Sequence, residues 1–135
     1  MGVNIFANNS PYSFSMAYSS FNNLRQKVAM MLDEEFGSNY SNLRNCYSKE
    51  DYVDHDKVAN RLISEKSLDE DIVDFLYQSD CDGKISYKTC KKILDLVGDT
   101  EFITCYMGFY DVSQSHDFQK MLQDCYSHRK SLRWD

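Results

Sequence analysis

Apolar positions recur at three- and four-residue steps through most of this chain, and that period predicts helices. The clearest stripe is Phe21, Leu24, Val28, Met31, Leu32 and Phe36. It predicts a helix that opens near Ser19, with Ser19 or Ser20 as its cap, and closes at Gly37. Asn22, Arg25, Gln26, Lys27 and Asp33 fall on the opposite face, where solvent is expected. Residues 37–51 are polar without a sustained period, so a loop is expected there, with one short helical turn around Leu43. A second helix is expected from about Asp56, with Val58, Ala59, Leu62 and Ile63 inward, fading at Ser64. A third follows Ser67, and Glu70 three residues on completes a capping box. Ile72, Val73, Phe75 and Leu76 make this helix apolar on most of its circumference, which places it centrally in the fold.

Ser86 is positioned to cap a fourth helix, lined by Cys90, Ile93, Leu94 and Val97 and ended by Gly98. The stretch TEFITCYMGFYDV, from Thr100 to Val112, fits two periods. Phe102, Cys105, Tyr106 and Phe109 suit a helix and Ile103 and Thr104 a strand; helix is preferred because the neighbouring segments are helical. A last helix is expected from about Ser115, burying Phe118, Met121, Leu122 and Cys125. Val3 to Ala7 and Lys130 to Trp134 read as short terminal strands able to pair, with turn chemistry at Asn8, Asn9, Ser10 and Pro11 ending the first. The expected fold is mainly α, α+β at most: a single-domain bundle of five to six helices over residues 1–135.

Charge sharpens this picture more than length does. Twenty-one acids against fifteen bases give a net charge of −6 and a pI near 5.0. Such a surface repels nucleic acid and anionic lipid and attracts basic proteins. Aromatic residues make up 14% of the chain, mostly Tyr, whose apolar ring and polar tip serve both half-buried cores and recognition surfaces. No apolar run approaches the ~20 residues needed to span a bilayer, and the start lacks the basic and apolar parts of a signal peptide, so a cytoplasmic location is expected. The five cysteines, Cys46, Cys81, Cys90, Cys105 and Cys125, are odd in number and lack CxxC spacing, which favours reduced thiols over a disulfide framework or a zinc site. His55, His116 and His128 stand in separate polar segments without ligand spacing.

The stretch YQSDCDGKISYKTC, Tyr77 to Cys90, has the alternation of a calcium loop. Such loops turn alternate side chains toward one ion, use a glycine for the bend and a backbone carbonyl after it, and close with a bidentate Glu. Asp80, Asp82, Lys84 (through its carbonyl) and Ser86 fall at ligand positions, with Gly83 between. The first ligand position holds Gln78 and the closing one Thr89, which removes much of what sets affinity, so weak calcium binding at most is expected and no cofactor is favoured. Without an ion, the same residues make a helix-to-helix connector: the aspartates bond backbone N–H groups, Gly83 takes a positive φ, Ile85 enters the core and Ser86 caps the next helix.

Tyr18-Ser19-Ser20-Phe21, an apolar helix ending DFLYQ, the box Ser79-Asp80-Cys81-Asp82-Gly83 and Cys90 near the start of a helix occur in that order. Together they resemble a family of small, uncharacterised bacterial proteins marked by an SDCDG box. The family's usual pattern has His where this chain has Gln78, and often an acid where it has Thr89. The resemblance implies relatives; it carries no reaction.

No nucleophile, phosphate-loop or zinc-protease motif occurs, so no enzyme is expected. The acids cluster instead: Asp51, Asp54, Asp56, Asp69, Glu70, Asp71 and Asp74 lie in one third of the chain, with Tyr52 among them and Tyr77 following. Solvated helix faces also look like this. The functional reading is an acidic, aromatic-bearing face for a basic protein, most concretely that of an immunity protein that neutralises a nuclease-type toxin domain. The alternatives are a degenerate calcium-binding module and an inhibitor encoded by a phage or mobile element.

Overall fold

The computed structural model describes residues 2–101, 104–106 and 109–135, with backbone alone at 104–106 and 109–111. Its architecture is α+β. The order is β1 (Gly2–Ala7), β2 (Ser13–Ala17), α1 (Tyr18–Leu32), α2 (Glu34–Asn45), α3 (Lys49–Glu65), α4 (Glu70–Tyr77), β3 (Gly83–Ile85), α5 (Tyr87–Val97), β4 (Thr104–Tyr106), β5 (Phe109–Asp111), α6 (Ser113–Ser127) and β6 (Leu132–Trp134).

The chain termini meet in an antiparallel sheet of order β2-β1-β6-β3. Ile5 pairs with Trp134 and Ala7 with Leu132, while Gly83 and Ile85 meet the same two β6 residues from the other side. Alternation then buries Val3, Ile5, Ala7, Met16, Ile85, Leu132 and Trp134 on one face. Pairing of the tail with the N-terminal strand is thus as expected from sequence. The sheet gains two further strands, β2 and β3.

Helix α4 is central, as expected from a helix apolar on most of its circumference. Phe75 stacks on Phe118 at 6.2 Å and meets Trp134 and Phe21 edge-on at 5.6 and 6.4 Å. One buried cluster joins these rings to the sheet and to α1, α2, α3, α5 and α6.

Several boundaries differ from the expected ones. The stripe from Phe21 to Phe36 spans two helices, not one. Asp33 is extended, and its carboxylate accepts from the Phe36 N–H at 2.9 Å, capping α2. Gly37 is no terminator; it lies inside α2, where a Cβ would meet the Met30 backbone. The segment 37–51 is largely helical, with Tyr40 and Leu43 buried in α2, and α3 begins at Lys49, capped by Ser48, seven residues before Asp56. Neither Ser19 nor Ser20 caps α1, which starts after Ala17 without a side-chain cap. Ser67 sits at φ 49 and leaves the capping of α4 to Asp69, whose Oδ1 accepts from Asp71 and Ile72. Around residue 105 the described backbone is a strand pair, with Cys105 opposite Tyr110, where a helix was preferred; positions 102, 103, 107 and 108 of that segment lie outside the described residues. Ser86 and Gly98 do bound α5, Gly98 at φ 53.

Candidate functional site

The residues expected to form the acidic face lie on two helices, α3 and α4, and in the turn before α4. Along α4, Glu70, Asp74 and Tyr77 follow the i, i+4, i+7 spacing of one exposed strip. Asp69 and Asp71 face α5 instead: Lys92 Nζ lies 3.1 Å from Asp69 and 2.7 Å from Asp71. Burial raises the Asp69 pKa, but the Lys92 ammonium and the two N–H groups it caps outweigh this and hold it below the usual carboxylate value. These two acids therefore serve the α4–α5 packing.

In α3, Asp51, Tyr52 and Asp54 are exposed, with Asp56 half-buried. The helix buries only Ala59 and Leu62, both in its second half, so its first two turns stand out from the core. Asn39 steadies them by donating to the His55 carbonyl at 2.8 Å. Tyr77, at the end of α4, lies edge-on to Tyr40 of α2 at 5.7 Å. Its hydroxyl pKa is pushed up to about 12, first by burial and then by Tyr40, Asp56 and Tyr52.

Sequence reasoning missed Tyr47, Glu50 and Val53 here. Tyr47 is fully exposed, and Tyr52 and Val53 are about half exposed, at 51% and 48%. A shallow depression of about 400 Å³ is lined by Lys49, Glu50, Val53 and Asp54. The available signal was NCYSKEDYV: an Asp three residues after Ser48 marks a capped helix start.

The bend after α4 is built differently. The Gln78 carboxamide grips Lys84 twice, its Oε1 accepting from the Lys84 N–H at 2.8 Å and its Nε2 donating to the Lys84 carbonyl at 2.9 Å. Nε2 also donates to Asp74 Oδ2 at 2.8 Å. Thr89, at the closing ligand position, is buried and held in the Ser86 cap. Gly83 does not take a positive φ; a Cβ there would run into the Trp134 indole ring, whose Nε1 donates to the Ser79 carbonyl at 2.8 Å. Asp80 is half-buried, Asp82 exposed. Among the described residues no three His, Cys, Asp or Glu side chains converge to hold a metal ion.

Beneath this bend lies Arg25, expected in solvent but fully buried. Its Nη2 donates to the carbonyls of Leu76, at 2.8 Å, and Gln78. Its guanidinium carbon sits 5.1 Å from the Phe21 ring and 5.7 Å from that of Phe75. Tyr40 and Arg44 donate to the same Leu76 carbonyl, each at 2.8 Å, so three donors complete the C-terminal end of α4, where the helix dipole favours positive charge.

Comparison with protein-family models, curated proteins and solved structures found no match to the chain. Among the described residues, no helix is long and apolar enough to cross a membrane.

Proposed function

We propose that this chain is a cytosolic, non-enzymatic binding module for a basic protein, most concretely an immunity protein that occupies the substrate cleft of a nuclease-type toxin domain. The observation that carries this reading is the projecting start of α3. There Tyr47, Tyr52 and Val53 are displayed among Glu50, Asp51, Asp54 and Asp56, with Lys49 the one Lys or Arg in the stretch 47–56. Carboxylates on an exposed helix can take the place of nucleic-acid phosphates in a cleft lined by Lys and Arg, and matched potentials speed the encounter. Exposed aromatic rings supply the area that slows release. Glu70, Asp74 and Tyr77, exposed along α4, offer the same partner a second acidic and aromatic strip.

The test is co-expression with a nuclease-domain toxin encoded beside this gene. Wild-type protein is expected to restore growth, and Asp51→Lys/Asp54→Lys/Asp56→Lys to abolish the rescue while remaining folded. Rescue that survives this triple reversal would sink the acidic-face mechanism.

A further inference from the structure

The residues of the bend do not fit a calcium ion, and the way they fail points to what stands in its place. At the loop position whose carbonyl should face the ion, the Lys84 carbonyl is taken by the Gln78 amide at 2.9 Å. At the first position, Gln78 turns its side chain across the loop onto Lys84 and not toward Asp80 or Asp82. A positive charge is nonetheless present: Arg25 donates to the Gln78 carbonyl from below. It is 0% exposed and, among the described residues, forms no ion pair. Its Nε and Nη1 have no hydrogen-bond partner and lie in the shelter of Phe21 and Phe75.

We infer that the 78–89 bend is a calcium-loop frame closed from within, the Gln78 carboxamide supplying the cross-loop bonds that an ion would bring, while the Arg25 guanidinium holds the end of α4 beneath it. Closing such a loop requires that the backbone on its two sides be tied together, and a bound cation does this by sharing oxygens. A primary amide does it with one donor and one acceptor, matching the C=O and N–H of a single residue. The same two bonds finish the outer edge of β3, which β6 covers only on its other side. Because the tie is made by the residue that ends α4, the bend, the Trp134 contact and the end of α4 that carries Tyr77 keep their form whatever the divalent ion concentration. This inference does not depend on the proposed partner.

The experiment compares wild type, Gln78→Ala and Gln78→Glu by thermal melting and by amide hydrogen exchange at Lys84, in EDTA and in millimolar calcium chloride. Wild type is expected to give the same melting temperature and the same slow Lys84 exchange in both. Gln78→Ala should exchange roughly tenfold faster at Lys84, the factor for losing the tie. Gln78→Glu keeps the acceptor but sets a carboxylate against Asp74, in a loop that already carries Asp80 and Asp82; it should melt lower in EDTA and recover in calcium. Calcium stabilisation of wild type, or unchanged Lys84 exchange in Gln78→Ala, would overturn the inference. So would a folded Gln78→Glu that ignores calcium, since the surrounding oxygens would then be no ion frame. If Gln78→Glu does not fold, the Lys84 exchange in Gln78→Ala decides alone.

Discussion

Residues 78–86 and residues 47–56 are both polar stretches seeded with aspartate, and they are used in opposite ways. In the first, Gln78 spans the loop, Ser86 caps α5, and the backbone carbonyls of Gln78 and Ser79 are met by Arg25 and Trp134. In the second, Ser48 caps α3 while Tyr47, Tyr52, Val53 and the carboxylates of Glu50, Asp51 and Asp54 stand in water. Polar side chains that are spent on backbone groups hold a fold together. Those left exposed beside apolar rings contribute little to the fold, which is the condition under which a surface is free to serve a partner.

The contrast predicts a gradient of stability effects. The largest is expected at the ring beneath the bend: Phe75→Ala removes the aromatic that Phe21, Phe118, Trp134 and Arg25 all touch. A loss of about 3–5 kcal/mol is expected, lowering the melting temperature by roughly 10–20 °C. Next comes Gly83→Ala, which drives a methyl group into the Trp134 ring and is expected to cost about 1–3 kcal/mol by overpacking. Denaturant melts read both values; a Gly83→Ala protein as stable as wild type would mean that β3 and the indole are not in close contact.

A smaller effect tests the junction of α1 and α2. Asp33 caps α2 and lies 3.0 Å from Lys66 Nζ, and the Phe36 N–H, then Lys66, hold its pKa below the ordinary carboxylate value. A depressed folded-state pKa stabilises above the unfolded value, about 3.9, and the benefit is lost as pH falls through the lower folded value. Asp33→Ala should cost about 1 kcal/mol at neutral pH, with the gap from wild type narrowing as melts are taken from pH 5 toward pH 2.5. A gap that stays constant would mean that the carboxylate charge plays no part.

What was legible in sequence follows the same division. Ser86, Gly98, the two terminal strands and the apolar α4 were readable because each is signalled by residues within a few positions of the feature itself. The break at Asp33 was not, because Met31, Leu32 and Phe36 keep helical spacing across it and only the Asp33 side chain, bonding forward to Phe36, stops the first helix. Arg25 was placed in solvent because its partners, Leu76 and Gln78, lie 51 and 53 residues away. Gln78 was recognised as a missing ligand, but its grip on Lys84 depends on the loop geometry. The acidic face was legible as composition only. The structure divides it, assigning Asp69 and Asp71 to Lys92 and setting Tyr77 edge-on to Tyr40.

The smallest effect on stability should accompany the largest effect on binding. Asp51→Lys/Asp54→Lys/Asp56→Lys alters side chains that support no core residue, so a stability change within about 1 kcal/mol is expected, most of it from Asp51 in the first turn, where the helix dipole favours an acid. Tyr47→Ala/Tyr52→Ala should be closer still to neutral. Against the neighbouring toxin domain the two variants should separate by rate. Reversing the charges slows association and removes its salt dependence, whereas removing the rings leaves association fast and hastens release. Stopped-flow association at low and high salt distinguishes them. If the charge reversal unfolds the protein, the start of α3 belongs to the scaffold after all and the contrast with the bend disappears. If both variants stay folded and bind as wild type does, the partner docks elsewhere.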